Sequence, residues 1–226
     1  MDKELEQAIW KFNFRPDSYV HESWLKLMPE GEILAKLIQQ PSNSRAYGNV
    51  AWYVLSRLGL ADNVFFDFSK PLTRIVLWPS KDIEQLVLYI GAVFHAKLLS
   101  KIIQRDDLIK IQRLLGDELF SFMQQRAPAI GHKVSMTLAL PSELSLKQRI
   151  ILVGLLCLRA ALHVYPDTVW KRLMFKLDRA WYVDWKQHAK LGSPFMEQAD
   201  ECSVLIQKVA IDIRMGVNRD GKILFG

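Results

Sequence analysis

With 226 residues, half of them hydrophobic, the chain has enough apolar side chains for one large core or two small ones. Thirty basic against 24 acidic residues give a formal charge of +6, modest for a protein that tracks a nucleic-acid backbone. Two cysteines exclude a disulfide framework. The longest apolar runs, Leu86–Phe94 and Ile150–Leu158, have nine residues each, less than half of the roughly 20 that a membrane helix needs.

The opening MDKELEQAIWKFNF carries three acids in its first six residues and no apolar stretch, so it is not expected to be a secretory signal. Pro16 followed by Tyr19, Val20, Trp24, Leu25 and Met28 predicts a short helix with proline in its first turn. A second, Glu32–Gln39, stops before Pro41. Asn43 or Ser44 is placed to cap a longer helix through Leu58, closed by Gly59. Residues 61–79 include FFDFSKPLTRIVLWP, where neither helical period nor alternation persists, and read as an extended or β connector.

Ser80 then caps a helix to Ile103, with Asp82 and Glu84 in the turn where the macrodipole favours acids. Its apolar residues cover almost every face between Leu86 and Phe94, which makes it central. Gly91 on that helix is expected to permit close approach of another helix. His95 shares its face with Leu88, Gly91 and Leu99 and reads as a hydrogen-bonded core histidine. The next helix runs from Asp106 or Asp107 to about Arg126 on a stripe of Leu108, Ile111, Leu115, Leu119 and Phe122. A loop is expected over Ala127–Pro141. Ser145 and Gln148 form a capping-box pattern for a helix to Tyr165, before Pro166.

Asp167–Leu177 reads as amphipathic, with Trp170 and Leu173 facing inward and Lys171, Arg172 and Lys176 facing away. Ser193 and Pro194 open the last long helix, whose Phe195, Ala199, Cys202, Ile206, Val209 and Ile213 share a face, with Gly216 as its stop. The fold class is all-α, a compact multi-helix protein. Residues 1–60 form an N-terminal helical lobe and 80–216 the main helical domain, the two packing as one compact domain.

The side chains offer no catalytic grouping. His21, His95, His132, His163 and His188 are scattered, without the H-x-x-x-H or C-x-x-C pairs that hold a metal. No serine stands in G-x-S-x-G, and neither G-x-x-x-x-G-K-[ST] nor G-x-G-x-x-G supplies a phosphate cradle. Asp106–Asp107 marks a helix start and Asp117–Glu118 an exposed face. Cys157 and Cys202 lie on apolar stripes as small hydrophobes, in keeping with a reducing compartment. No enzyme activity, cofactor or metal is expected.

Charge is uneven along the chain. Between Lys147 and Lys190 nine basic residues face three acidic ones, while the rest is balanced. Arg172, Lys176 and Arg179 fall at i, i+4 and i+7, an exposed face whose reversal should leave the melting curve unchanged. With Lys171 and Lys186 they are the candidate contacts for an acidic partner. Trp181, Tyr182 and Trp185 follow closely, so the alternative is a helical nucleic-acid-binding protein that uses residues 147–190. The inward spacing of Trp170, Leu173, Met174 and Leu177 favours the protein partner.

Five blocks stand in order: FNFRPDSYVH at 12–21, SRLGL at 56–60, IGAVFHAKLLSKII at 90–103, RLLGDELFSF at 113–122 and GLLCLRAALHVYPDTVWKRLMFKL at 154–177. Together they resemble the K-protein (SctK/YscK) family of the type III secretion apparatus, over about residues 12–180. The resemblance implies a non-enzymatic scaffold of the injectisome sorting platform, a virulence device. It would sit at the cytoplasmic face of the bacterial inner membrane without a transmembrane segment. Its implied partners are the cytoplasmic domain of the D ring protein and the Q protein, which leads on to the L protein and the N ATPase. No catalytic or binding motif transfers with it.

Overall fold

The computed structural model describes residues 3–38, 45–99, 102, 104–131 and 140–214. Among these the chain is α-helical with no strand. In chain order the helices are α1 (Lys3–Phe14), α2 (Glu22–Leu25), α3 (Gly31–Ile38), α4 (Arg45–Arg57), α5 (Pro71–Ile75) and α6 (Ser80–Leu99). There follow α7 (Arg105–Leu115), α8 (Asp117–Gln125), α9 (Ala127–Ile130), α10 (Leu146–Ala161), α11 (Asp167–Phe175), α12 (Arg179–Gln187), α13 (Ser193–Glu197) and α14 (Ala199–Arg214). No helix of the described residues is long and apolar enough to cross a membrane.

Packing gathers the chain into two compact units. The first joins Met1–Ile83 with Val164–Val183; the second joins Glu84–His163 with Asp184–Gly226. The grouping differs from a division into 1–60 and 80–216, because the segment holding α11 packs with the N-terminal residues.

In the first unit, α1 is a helix that the composition hid. It buries only Ile9, Phe12 and Asn13, too narrow a stripe to stand out among polar residues. The expected helix over Pro16–Met28 is two pieces: a 3-10 turn at Pro16–Ser18 and then α2, whose N-cap is His21, its Nδ1 accepting from the Ser23 backbone N–H. The α4 helix closes as expected at Gly59, which adopts φ +65°. The Gly59 N–H donates to the Ser56 carbonyl and the Leu60 N–H to the Leu55 carbonyl, the paired bonds of a Schellman stop. Its expected caps, Asn43 and Ser44, lie outside the described residues.

The connector over 61–79 has no regular structure between residues 63 and 69, with a turn where the Phe68 N–H donates to the Phe66 carbonyl, and then forms α5 with Pro71 in its first turn. Its backbone pairs with a side chain rather than a strand. The Asn13 Nδ2 donates to the Phe65 carbonyl at 2.7 Å and the Phe65 N–H donates to Asn13 Oδ1 at 2.8 Å. One buried amide thus satisfies both polar groups of a residue that would otherwise need a ladder.

The second unit is drier. Its α10 starts with the predicted capping box of Ser145 and Gln148 and buries every residue from Ile150 to Leu158. A Cβ built on Gly91 of α6 would run into the Ile150 carbonyl, and one on Gly154 of α10 into the Val87 carbonyl. Two glycines, one on each helix, therefore set a backbone-to-backbone approach that no other residue permits. His95 is buried and its Nδ1 lies 2.8 Å from the Gly91 carbonyl; burial pushes the ring pKa down, keeping it neutral. Cys157 and Cys202 are both buried and free.

Three helices end earlier than the periodicity predicts. Gly116, at φ +84°, splits the segment expected to run to Arg126 into α7 and α8. Asp117 and Glu118 consequently open α8, exposed as expected, and Glu118 accepts from Gln85 Nε2 and the Tyr89 hydroxyl. The α10 helix stops at Ala161, four residues before Tyr165. The last long helix is broken at Gln198 into α13 and α14. The loop expected over Ala127–Pro141 begins as α9. The helix ends expected at Gln39 and Ile103, and the stop at Gly216, lie outside the described residues.

Candidate functional site

Helix α11 carries the largest departure from the sequence reading. Val169, Arg172, Leu173 and Lys176 fall at i, i+3, i+4 and i+7, and this whole stripe is buried. Arg172 is 0% exposed and Lys176 3%, so neither belongs to an outward basic face. Apolar neighbours took both cations inward with them, because the spacing of the stripe overrides the polarity of two of its members.

What makes this tolerable is a cage of carbonyls. Arg172 Nη1 donates to the Phe12 carbonyl at 2.7 Å and to the Tyr19 hydroxyl at 3.1 Å. Its Nη2 donates to the carbonyls of Leu60 at 3.1 Å and Asn63 at 2.9 Å. The guanidinium also sits 5.5 Å from the centre of the Phe12 ring. One turn on, Lys176 Nζ donates to the Val76 and Trp78 carbonyls, both at 2.7 Å, and faces the Tyr19 and Phe12 rings at 5.3 and 5.9 Å. No carboxylate pairs with either cation among the described residues. Asp17, also buried, is taken by Arg15 in a two-point contact at 2.9 and 3.0 Å. Burial pushes the Lys176 ammonium pKa down to about 7 and the Tyr19 phenol up.

The first, second and fifth sequence blocks thereby acquire a common cause. FNFRPDSYVH supplies the Phe12 carbonyl and the Tyr19 ring, SRLGL supplies the Leu60 carbonyl, and the last block supplies the cations. Further polar links tie the same segments. Trp24 Nε1 donates to the Leu177 carbonyl at 2.9 Å, and the His21 N–H to the Phe175 carbonyl at 2.8 Å.

Beside this cage lies a cavity of about 410 Å³, open to solvent and lined by residues that include Lys176, Phe12, Tyr19, Trp78, Lys11 and Glu4. Elsewhere on the first unit, Trp10, Phe14 and Phe66 form an exposed aromatic row with ring centres 6.2 and 6.3 Å apart. The second unit has a depression of about 480 Å³ lined by Leu156, Arg159, Trp185 and Met196 among others.

Of the candidate contacts, Lys171 is exposed and lies 3.9 Å from Asp167, and Arg179 and Lys186 are exposed. The structure thus does not bring the five together on one face. The basic and aromatic stripe of the nucleic-acid alternative loses Arg172 and Lys176 for the same reason. Among the described residues no group of three or more histidine, cysteine, aspartate or glutamate side chains could hold a metal ion.

Comparison with known proteins gives a consistent picture. The family model described as YOP proteins translocation protein K (YscK) matches residues 7–217. No curated protein matches the sequence. Among solved structures, the cytoplasmic domain of the type III secretion sorting platform protein PscK from P. aeruginosa shares the fold, with a TM-score of 0.59 at 20% identity. That alignment covers 91% of this chain and 94% of the PscK domain.

Proposed function

The chain belongs to the YscK family of translocation proteins, and from that premise we propose that it is a non-enzymatic adaptor of a type III secretion sorting platform. In this reading it joins the cytoplasmic domain of the D ring protein to the Q protein, and through Q reaches the L protein and the N ATPase. It works at the cytoplasmic face of the inner membrane and holds its place through its partners. The observation that carries the proposal is the family match over residues 7–217, nearly the whole chain. The likeness of its fold to a domain of a sorting platform protein supports it.

The chemistry of the first unit agrees with a scaffold. Its two buried cations, Arg172 and Lys176, donate to backbone carbonyls, which fixes segments far apart in sequence. Lys171 and Arg179, exposed on that unit, are the candidate contacts for an acidic partner, with Lys186 exposed on the second unit.

The test is co-purification of the full chain with the D cytoplasmic domain and with Q, each alone and both together. A ternary complex is expected. Failure to bind either protein, with a folded chain, would reject the adaptor reading. Tight, steeply salt-dependent binding to generic DNA in its place would move the assignment to the nucleic-acid alternative.

A further inference from the structure

The cavity beside Lys176 has chemistry that its structural role does not use up. An ammonium has three N–H donors. Two are taken by the Val76 and Trp78 carbonyls, and no third protein acceptor is present among the described residues. The group is buried, yet it lines a space of about 410 Å³ that opens to solvent. Around it the fixed charges are unbalanced. Arg172 faces the same Phe12 ring, at 5.5 Å against 5.9 Å for Lys176, and the buried carboxylate Asp17 is engaged by Arg15. A positive site in a low-dielectric wall attracts an anion more strongly than an exposed lysine does.

The shape of the site narrows the anion. Phe12, Trp78 and Leu77 give apolar walls, Lys11 adds one further cation, and Glu4 contributes an acid. A phosphate dianion needs several converging donors and would be repelled by Glu4. A singly charged carboxylate on a short aliphatic stem suits one buried ammonium between aromatic walls.

We propose that this cavity is a carboxylate-binding site, in which Lys176 Nζ holds the anion and the Phe12 and Trp78 walls hold its aliphatic stem. The inference goes beyond the adaptor role and is tested without any platform partner. The stem and charge match both a small free carboxylic acid and a glutamate side chain presented by a protein, and two probes separate these sources.

Propionate and N-acetyl-glutamate amide are titrated into the isotope-labelled full chain, with amide and indole resonances of residues 76–80 and 18–19 as the readout. Saturable shifts confined to those residues are expected, with Kd of the order of millimolar for so small a ligand. Tighter binding of the capped glutamate assigns the site to a protein side chain; binding of propionate alone assigns it to a free acid. Lys176→Met should abolish the shifts. Because that variant also strips two carbonyls of their donor, Lys11→Glu at the exposed rim serves as the second: it should weaken binding severalfold with an unchanged melting curve.

The groups facing Lys176 are Glu4 and Lys11 from α1, the Tyr19 ring, and Arg172 on its own helix. Since burial holds the amine near pH 7, affinity should fall as the pH is raised above neutrality. Shifts that never saturate, shifts that persist in a folded Lys176→Met protein, or indifference to Lys11→Glu would each overturn the proposal. Binding of inorganic phosphate in preference to both carboxylates would overturn the assignment of the ligand.

Discussion

Arg172 in the first unit and Gly91 in the second both sit within helices at fully buried positions, and they could hardly be less alike. The first unit brings its segments together by threading a guanidinium and an ammonium through the backbone carbonyls of Phe12, Leu60, Asn63, Val76 and Trp78. The second unit does the reverse, stripping side chains away until two helices meet backbone to backbone at Gly91 and Gly154. Irregular connectors such as residues 63–69 and helix C-termini such as that of α1 both leave carbonyls that a long donor from another helix can reach.

The comparison breaks most visibly at Arg172. Arg172→Met keeps the bulk but removes four hydrogen bonds, and should cost about 2–4 kcal/mol in chemical denaturation. Should it prove no more harmful than Lys171→Met on the same helix, the carbonyl cage is not what holds the unit together.

Gly91→Ala is the matching test of the second unit. Alanine is the better helix former by about 1 kcal/mol. Its methyl would meet the Ile150 carbonyl, which belongs to a backbone that cannot step aside, so a net loss of about 1–3 kcal/mol is expected. A neutral or stabilising outcome would mean that the two helices separate at little cost.

Much of this architecture was legible in the sequence. The helix cap at Ser145, the stop at Gly59 and the close-approach role of Gly91 follow from local rules that depend on a few neighbouring residues. Ser80, expected as a cap, instead lies inside α6 and donates its hydroxyl to the Tyr19 carbonyl. The buried cations were not read, although the signal was present. Arg172 and Lys176 occupy i+3 and i+7 of an apolar stripe that begins at Val169, and treating charge as a vote for solvent outweighed that register. What the register cannot supply is the list of acceptors. Phe12, Leu60 and Asn63 lie more than 100 residues from Arg172, and no local rule announces that their carbonyls are free. Gly116 is a plainer miss, a glycine inside a periodic stripe whose positive φ ended the helix.

Lys176 sharpens the contrast through pH. Its pKa is 10.5 unperturbed and about 7 in the folded protein, so the unfolded chain holds more protons between these values. Stability should therefore rise as pH increases from about 7 toward 10, and be lost again as pH falls back through 7. Tyr19 and Tyr89, whose pKa values burial raises, work in the opposite direction above about 10, which bounds the usable window. Thermal melts across that range should show an upward slope in the native protein that Lys176→Met flattens. An equal slope in both would assign the effect elsewhere.

The smallest expected effect is at the surface. Lys171→Glu with Arg179→Glu should shift stability by no more than about 0.5 kcal/mol. The same pair should weaken capture of an acidic partner, most at low salt. Unchanged capture of both D and Q proteins would remove these two residues from the contact surface.

The span between the cage and its cations also has a timetable. Asn63 and Arg172 are separated by 109 positions, which at about 5–20 residues per second is roughly 5–20 s of synthesis. Throughout that interval the Phe12, Leu60 and Asn63 carbonyls have been synthesised while the donor for them does not yet exist. The second unit's α6 and α10 are both made before α11, so their close approach at Gly91 and Gly154 can form while the part encoded first is still waiting. A nascent chain stalled before residue 164 would therefore present an unfinished N-terminal surface, and that stretch is where a trigger-factor-like holdase would be expected to linger.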